Sequence, residues 1–153
     1  MFRAQICRDI GGCSTLAVAC STGGAVTADG LHCFEPDATM SDVLLARDRC
    51  DELTGETHLA TIHTDAEAAA VAALGGERFI GLERTIVPLT YAWDTGEPVL
   101  GALRFASGHP TPLAGDRCTL SVAGGLWHSV SCTGSHTSVC EREMWPVFAP
   151  TPP

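Results

Sequence analysis

Apolar and polar residues alternate most clearly near the C-terminal end of the chain. Residues 118–122 and 126–130 each place side chains on two opposite sides in turn, which is the period of a β-strand. Between the two runs lie Ala123, Gly124 and Gly125, a sequence typical of a tight turn. The pattern therefore predicts a β-hairpin, and the chain-entropy estimate for a disulfide between Cys118 and Cys132 across it would be about 3 kcal/mol.

A helical period begins at residue 41. Ser41 is a suitable N-cap, and Thr54-Gly55 is a suitable end for the helix. The residues at helical spacing on its inner face are Val43, Leu44, Ala46, Arg47, Cys50 and Leu53. The pattern predicts a first helix that turns Cys50 toward the interior.

A second helix is predicted at residues 66–74. Thr64 and Glu67 have the spacing of a capping box, and Gly75-Gly76 ends the apolar pattern. The alanine-rich face of this helix is suited to close packing against a sheet.

The remaining segments indicate strands and loops. Residues 58–62 and 78–82 are short apolar runs, residues 93–98 form a turn, and residues 107–112 form a long irregular loop. Helices come early and strands late, so the order predicts an α+β fold with antiparallel sheets rather than a doubly wound one.

Composition limits the class of protein. The chain has 153 residues and 45% hydrophobic content, enough for one ordinary core, and no apolar run is long enough to span a membrane. Its net charge is -9, and its 9 Lys and Arg do not cluster, so we expect no nucleic-acid partner.

Eight cysteines, an even number, favour disulfides and an oxidising compartment. No Cys-x-x-Cys spacing indicates a zinc site. Cys20 and Cys33 flank turn residues and suit the two ends of a hairpin, whereas Cys7 with Cys13 follows only by elimination. Polar residues near the start interrupt any leader, so the sequence gives no clear signal peptide.

These residues, in this order, resemble the C-type lectin-like domain. The resemblance rests on Cys50, the segments 58–62 and 79–82, Glu67, the segment 93–96, Cys118, Trp127, Cys132, Cys140 and Glu141. It covers residues 31–142 and implies two helices, antiparallel sheets and a long irregular loop stapled by disulfides. Residues 1–30 would then be a Cys- and Gly-rich extension, and residues 143–153 a Pro-rich tail.

The resemblance also implies the disulfide pattern. In the family, the helix cysteine bonds the last cysteine and the two hairpin cysteines bond each other. That pattern implies Cys50 with Cys140 and Cys118 with Cys132. Members with an N-terminal extension add a hairpin disulfide, which Cys20 with Cys33 resembles.

Calcium-binding relatives carry oxygen ligands at a few loop positions, where this chain differs. Their Glu-Pro-Asn or Gln-Pro-Asp triplet is matched here by His109-Pro110-Thr111, and the two positions after the hairpin Trp are His128-Ser129. Only Asp116 keeps a carboxylate. Calcium prefers six to eight oxygen ligands, so we expect no metal and no cofactor at these six ligand-binding candidates.

A zinc site made by His109, His128 and Asp116 is the chemical alternative, because imidazole and carboxylate both bind Zn²⁺. We favour exposed loop polar groups instead. The other histidines, His32, His58, His63 and His136, carry no distinguishing pattern.

Aromatic residues have two interpretations. Trp93 and Trp127 are either sugar-stacking platforms or core residues, and we favour the core. Phe105 stands where family members often have Trp. Trp145 and Phe148 belong either to a tail packed on the domain or to a linker.

The sequence thus predicts a secreted or cell-surface binding module that recognises a carbohydrate or another surface ligand without the usual calcium site. Alternatives are a protein-binding or adhesive module that uses the long loop, and a structural domain of a larger secreted protein. No nucleophile elbow, metalloprotease motif or phosphate loop is present, so we do not expect an enzyme. The sequence does not indicate an oligomeric state.

Overall fold

The computed structural model describes residues 5–8, 12–15, 20, 23–28, 31–53, 57–86 and 90–143. The helices are α1 (Val43–Asp51) and α2 (Asp65–Ala73). The strands are β1 (Gln5–Arg8), β2 (Gly12–Thr15), β3 (Ala25–Val26), β4 (His32–Ser41), β5 (Thr57–Leu59), β6 (Arg78–Arg84), β7 (Tyr91–Trp93), β8 (Cys118–Ser121), β9 (Trp127–Val130) and β10 (His136–Glu143).

The main sheet has the order β3-β4-β10-β6-β8-β9, with β5 paired to β10 and β7 paired to β6. Strands β8 and β9 form the predicted hairpin, with a short 3-10 turn at Ala123–Gly125. Two helices and a β-rich remainder confirm the α+β fold class. One strand pair departs from the expected antiparallel arrangement, because β10 and β6 run parallel over two residue pairs, so the sheet is mixed.

Strands β1 and β2 form a separate two-stranded antiparallel sheet. Its register places Cys7 directly opposite Cys13. Backbone register is compatible with a bond between these two cysteines, and their pairing stays a prediction. Strand β3 instead joins the main sheet through β4.

Helix α1 begins one residue later than the sequence suggested. Its N-cap is Asp42, whose side chain accepts a hydrogen bond from the backbone N–H of Leu45 at 2.9 Å. Ser41 is instead the last residue of β4 and is buried. The predicted end at residues 54–55 lies outside the described residues. The inner face consists of Val43, Ala46 and Cys50, whereas Leu44 is 64% exposed.

Helix α2 confirms the capping box. The side chain of Thr64 accepts from the backbone N–H of Glu67 at 3.1 Å, and the carboxylate of Glu67 accepts from the N–H of Thr64 at 3.1 Å. These reciprocal bonds satisfy two of the amide groups that a helix start leaves without partners.

Aromatic rings fill the core on the α2 side of the sheet. Trp93 is 3% exposed and Trp127 is 1% exposed, which confirms that both are core residues. Their rings meet edge to face with centroids 5.9 Å apart, and Phe105 contacts Trp127 in the same way. Edge-to-face packing matches the positive ring edge of one residue with the negative face of the other. Trp145 and Phe148 lie outside the described residues.

Three disulfides in the described part of the chain confirm three predicted pairs. They are Cys20–Cys33, Cys50–Cys140 and Cys118–Cys132. The second ties α1 to β10, and the third closes the open end of the β8–β9 hairpin. The first connects the segment before β3 to β4.

Candidate ligand-binding site

In the structure the long loop comprises residues 94–117, between β7 and β8, and it lies along the outer edge of β9. The backbone N–H of Trp127 donates to the carbonyl of Arg104 at 2.9 Å, and the N–H of Ala106 donates to the carbonyl of Trp127 at 3.0 Å. These two bonds fix the loop beside the strand that carries His128 and Ser129. The loop and the hairpin therefore form one surface.

The imidazole ring of His109 lies against β9. Its Nδ1 accepts a hydrogen bond from the backbone N–H of Ser129 at 3.1 Å. A backbone amide can only donate, so Nδ1 must hold a lone pair and the neutral ring must carry its proton on Nε2. The imidazole takes the place that a further strand would occupy at this point of the sheet edge.

Ser129 also holds the residue on the other side of Pro110. The backbone N–H of Thr111 donates to Ser129 Oγ at 2.8 Å, and Ser129 Oγ lies 3.3 Å from His109 Nδ1. Ser129 is 2% exposed, so these bonds form in a largely dry environment. The peptide bond between His109 and Pro110 is cis.

Asp116 is already engaged. Its Oδ2 accepts a hydrogen bond from the hydroxyl of Thr111 at 2.6 Å. Arg84 of β6 supports the same segment by donating to the carbonyl of Leu113 at 2.6 Å and to that of Thr111 at 3.4 Å. The loop is thus held by side chains from two strands.

The rings of His109 and His128 stack, with centroids 4.1 Å apart and planes inclined by 11°. Both residues are half-buried. The structure therefore brings together all six candidate positions, which are His109, Pro110, Thr111, Asp116, His128 and Ser129. Their role in ligand binding remains a prediction.

The donor set does not fit calcium. One carboxylate, that of Asp116, is present among the six positions, and the hydroxyl of Thr111 occupies one of its oxygens. A calcium ion takes six to eight oxygens, several of them charged. The imidazoles of His109 and His128 offer nitrogen where a hard cation requires oxygen.

The zinc alternative also fails on hydrogen bonding. A metal bound to Nε2 of His109 would leave the proton of the neutral ring on Nδ1, where it would face the backbone N–H of Ser129. Within the described residues, the one group of three or more His, Cys, Asp or Glu side chains whose ligand atoms all lie within 4.8 Å of one another is Glu83 with Cys118 and Cys132. Those two cysteines are bonded to each other.

A second polar cluster was not anticipated from the sequence. Glu141 of β10 is fully buried, and its Oε1 lies 2.6 Å from Nδ1 of His32. Its Oε2 accepts from the backbone N–H and the hydroxyl of Thr61 at 2.8 and 2.9 Å. Glu67 of α2 lies 3.8 Å from the other nitrogen of His32. The cluster joins β4, β10 and α2.

A third network lies beside α1. Arg47 donates to Glu83 at 2.8 Å and to Asp94 at 3.1 Å, and Arg117 donates to the other oxygen of Glu83 at 2.8 Å. Burial raises the pKa of Asp94 above its ordinary value, although Arg47 opposes this effect. The sequence pattern placed Arg47 on the apolar face of α1. It did not predict that Arg47 bridges β6 and the turn after β7.

Comparison with known proteins decides the family. The family model for the lectin C-type domain matches residues 42–142, about two thirds of the chain. The chain belongs to the C-type lectin family. Its C-type lectin-like fold is confirmed by this match together with the two helices, the mixed sheet and the disulfides.

Solved structures of C-type lectin-like domains share the fold. A calcium-independent type II antifreeze protein is 23% identical, with a TM-score of 0.70, covering 94% of this chain and 98% of that protein. The cow carbohydrate-recognition domain of CD23, solved in the presence of a GlcNAc2Man3 oligosaccharide, is 21% identical, with a TM-score of 0.66 and coverages of 74% and 89%. Human lithostathine is 20% identical, with a TM-score of 0.70 and coverages of 82% and 100%.

At these identities the solved structures establish the fold and leave the ligand open. No curated protein sequence matches this C-type lectin significantly. None of the helices in the described ranges has the length and apolar character needed to cross a membrane.

Proposed function

We propose that this C-type lectin domain is an extracellular, non-catalytic binding module that recognises a carbohydrate or another surface ligand without calcium. The proposed contact surface is the loop–hairpin surface, formed by His109, Pro110, Thr111, Asp116 and His128, with the buried Ser129 beneath it holding the loop. The observation that carries the proposal is the hydrogen bond from Ser129 N–H to Nδ1 of His109. Through this bond, the side chain of His109 holds the loop against β9, at a position where calcium-binding relatives hold their ion.

Chemistry at the surface favours direct contacts. Asp116 is bound to Thr111 and Nδ1 of His109 is bound to Ser129, so the side-chain groups of the two histidines that remain for a ligand are Nε2–H of His109 and the ring of His128. The ring nitrogens of His128 have no hydrogen-bond partner among the described residues. Neutral donors, acceptors and flat rings suit the hydroxyls and apolar faces of a sugar.

The extracellular location is supported by the disulfides that connect helix, sheet and hairpin. Two of the solved relatives were obtained with glycans, the CD23 domain of cow and a murine dendritic cell inhibitory receptor 2 domain in complex with N-glycan. These relatives make glycans the first class of ligand to test.

A glycan array with and without a chelator tests the proposal. We expect binding that the chelator does not change and that His128→Ala weakens. His136→Ala is the matched control, because His136 packs on Phe79 away from the loop. Sugar binding that disappears with the chelator would contradict calcium independence.

A protein ligand is the second candidate. Exposed leucines on the long loop favour it, with Leu100 58% exposed, Leu103 41% and Leu113 62%. Apolar side chains of this size commonly form the centres of protein interfaces. An absence of sugar binding under both array conditions would favour this candidate, or a structural role within a larger secreted protein.

A further inference from the structure

We propose that Arg84 is a positioning residue for the loop–hairpin surface, because its guanidinium holds residues 111–116 in one conformation before any ligand binds. Arg84 is not one of the six candidate positions, and it acts on a ligand only through the loop. The inference deepens the proposed function, on which its consequence for affinity rests. It assigns the shape of the contact surface to a side chain of β6.

The backbone of Arg84 is fixed where β6 ends. Its N–H donates to the carbonyl of Arg117 at 2.8 Å, and its own carbonyl accepts from Nε of Arg117 at 3.1 Å. Arg117 is the last residue of the long loop, and its Nη2 donates to Oε1 of Glu83 at 2.8 Å. The side chain of Arg84 therefore extends from a base that joins the sheet to the returning end of the loop.

The guanidinium of Arg84 contacts two loop carbonyls at once. Nη2 donates to the carbonyl of Leu113 at 2.6 Å, and Nη1 donates to that of Thr111 at 3.4 Å. Pro112, between these two residues, has no N–H to contribute to a hydrogen bond. A guanidinium presents its N–H groups in a fixed planar fork, so the two contacts restrain the spacing and the direction of both carbonyls.

Thr111 is held from three directions. Its N–H donates to Oγ of Ser129 at 2.8 Å, and its hydroxyl donates to Asp116 at 2.6 Å. Its carbonyl accepts from Arg84. These partners belong to β9, to the loop and to β6, so Arg84 supplies the restraint from the β6 side.

The residues that follow Thr111 have few other restraints. Residues 112–115 are all exposed, and a Cβ at Gly115 would meet no atom within 4 Å. The N–H of Asp116 donates at 3.2 Å to the carbonyl of Leu113, which is the oxygen that Arg84 also holds. An exposed segment gains little from apolar packing, so its conformation depends on these polar contacts.

A surface that is already ordered loses less conformational entropy when it binds a ligand. Without the contacts of Arg84, residues 111–116 would sample other conformations. Affinity at the loop–hairpin surface would then fall, although no group that touches the ligand has been removed.

Amide hydrogen exchange of the ligand-free protein, followed by NMR, tests the assignment. Arg84→Met keeps an unbranched side chain but removes the donors. We expect the amides of Thr111 and Asp116 to exchange faster by about tenfold or more in this variant. The amide of Gly81, which is bonded to the carbonyl of Ala60 at 2.9 Å, should keep its wild-type rate.

Arg78→Met is the matched control. Arg78 begins the same strand and also donates to backbone carbonyls, those of Gly75 at 2.8 Å and Ser138 at 3.4 Å. Because these carbonyls lie outside the long loop, the amides of Thr111 and Asp116 should keep their wild-type rates in this variant.

Arg84→Lys is the conservative variant. An ammonium retains the charge but lacks the planar fork, so it should restore part of the protection that Arg84→Met loses. On a glycan array, any sugar that the wild type binds should bind Arg84→Met about tenfold more weakly and Arg78→Met equally well.

Three results would overturn the positioning role. The first is wild-type exchange of both loop amides in Arg84→Met. The second is faster exchange that extends equally to Gly81, which would indicate a loss of global stability. The third is unchanged glycan binding by Arg84→Met. Wild-type protein that binds no glycan would count against the proposed sugar ligand and would leave the exchange result standing, so the two failures are distinguishable.

Discussion

Thr61 donates two hydrogen bonds to one oxygen of Glu141, from its backbone N–H at 2.8 Å and from its hydroxyl at 2.9 Å. The carboxylate is fully buried and lies 80 residues away in the chain. Together with His32 on the other oxygen, this contact fixes β10 to the segment that leads into α2. A buried carboxylate is tolerated only when such partners replace water.

Replacing Glu141 with Gln should therefore be costly. A neutral amide has one acceptor oxygen and an NH2 group in place of the two carboxylate oxygens, so it cannot keep the charge-assisted contacts with both Thr61 and His32. We expect the free energy of unfolding to fall by about 2 to 3 kcal/mol in a urea titration.

Exposed Glu77 provides the control for that variant. Glu77→Gln should change the free energy of unfolding by less than about 0.5 kcal/mol. Equal effects of the two variants would show that the buried contacts of Glu141 contribute nothing specific.

Gly81 leaves room for Asp94. A Cβ at this position would overlap the carboxylate of Asp94 and would lie 3.1 Å from the backbone oxygen of Leu59. Because one of these neighbours is backbone, we expect Gly81→Ala to destabilise the protein by about 1 to 3 kcal/mol in thermal unfolding.

Gly115→Ala is the matched control for Gly81, since a Cβ there would meet no atom within 4 Å. It should leave stability unchanged or raise it by up to about 1 kcal/mol, because Ala restricts the unfolded chain. A loss at Gly115 as large as that at Gly81 would rule out the steric explanation.

The two disulfides Cys118–Cys132 and Cys50–Cys140 should differ in how much they contribute to the free energy of unfolding. Cys118 and Cys132 are 14 residues apart, so replacing both with Ala should cost about 3 kcal/mol in the chain-entropy estimate. No change of stability in oxidising buffer would contradict the hairpin bond.

Cys50 and Cys140 are 90 residues apart, and the same estimate gives about 4 to 5 kcal/mol for their replacement with Ala. Guanidinium unfolding of both double variants under oxidising conditions provides the comparison. A smaller loss for this pair than for the hairpin pair would show that loop length does not govern the difference.

His58 gives a stability that depends on pH. Desolvation lowers its pKa, but a hydrogen bond from Nδ1 to the carbonyl of Leu59 and the nearby carboxylates of Glu141 and Glu143 outweigh it, so the pKa lies above its ordinary value. The folded protein favours the charged ring. This stabilisation is complete below the unfolded pKa and is lost as pH rises through the folded one.

The difference in unfolding free energy between wild type and His58→Gln should therefore shrink as pH rises from about 6 to about 8. Proton NMR of the His58 ring gives the folded pKa directly. A ring that titrates at or below the ordinary histidine value would contradict the assignment.

Elements with local signals were predictable from the sequence. The capping box of Thr64 and Glu67 and the hairpin around Gly124 depend on residues a few positions apart, so short patterns identify them. The N-cap of α1 was misplaced because Ser41 and Asp42 are both good caps, and the length of β4 decides between them.

Long-range polar contacts were not predictable in this way. The sequence drew attention to His109 and Ser129 through family positions, but their hydrogen bond exists only because β9 and the loop meet in the folded chain. The parallel contact of β6 with β10 has the same origin. Residues 85–135 separate the two strands, and no local sequence pattern indicates whether they pair parallel or antiparallel.

Adjacent residues of β9 differ in burial. Trp127 and Ser129 are buried and belong to the scaffold, whereas His128 between them is half-buried on the other side of the strand. Sequence diversity at position 128 is therefore compatible with an unchanged scaffold. A display library that varies residues 110, 112, 113 and 128 and keeps Trp127 and Ser129 fixed should yield folded lectin domains. The disulfide between Cys118 and Cys132 would hold β9 in the same place in every member of that library.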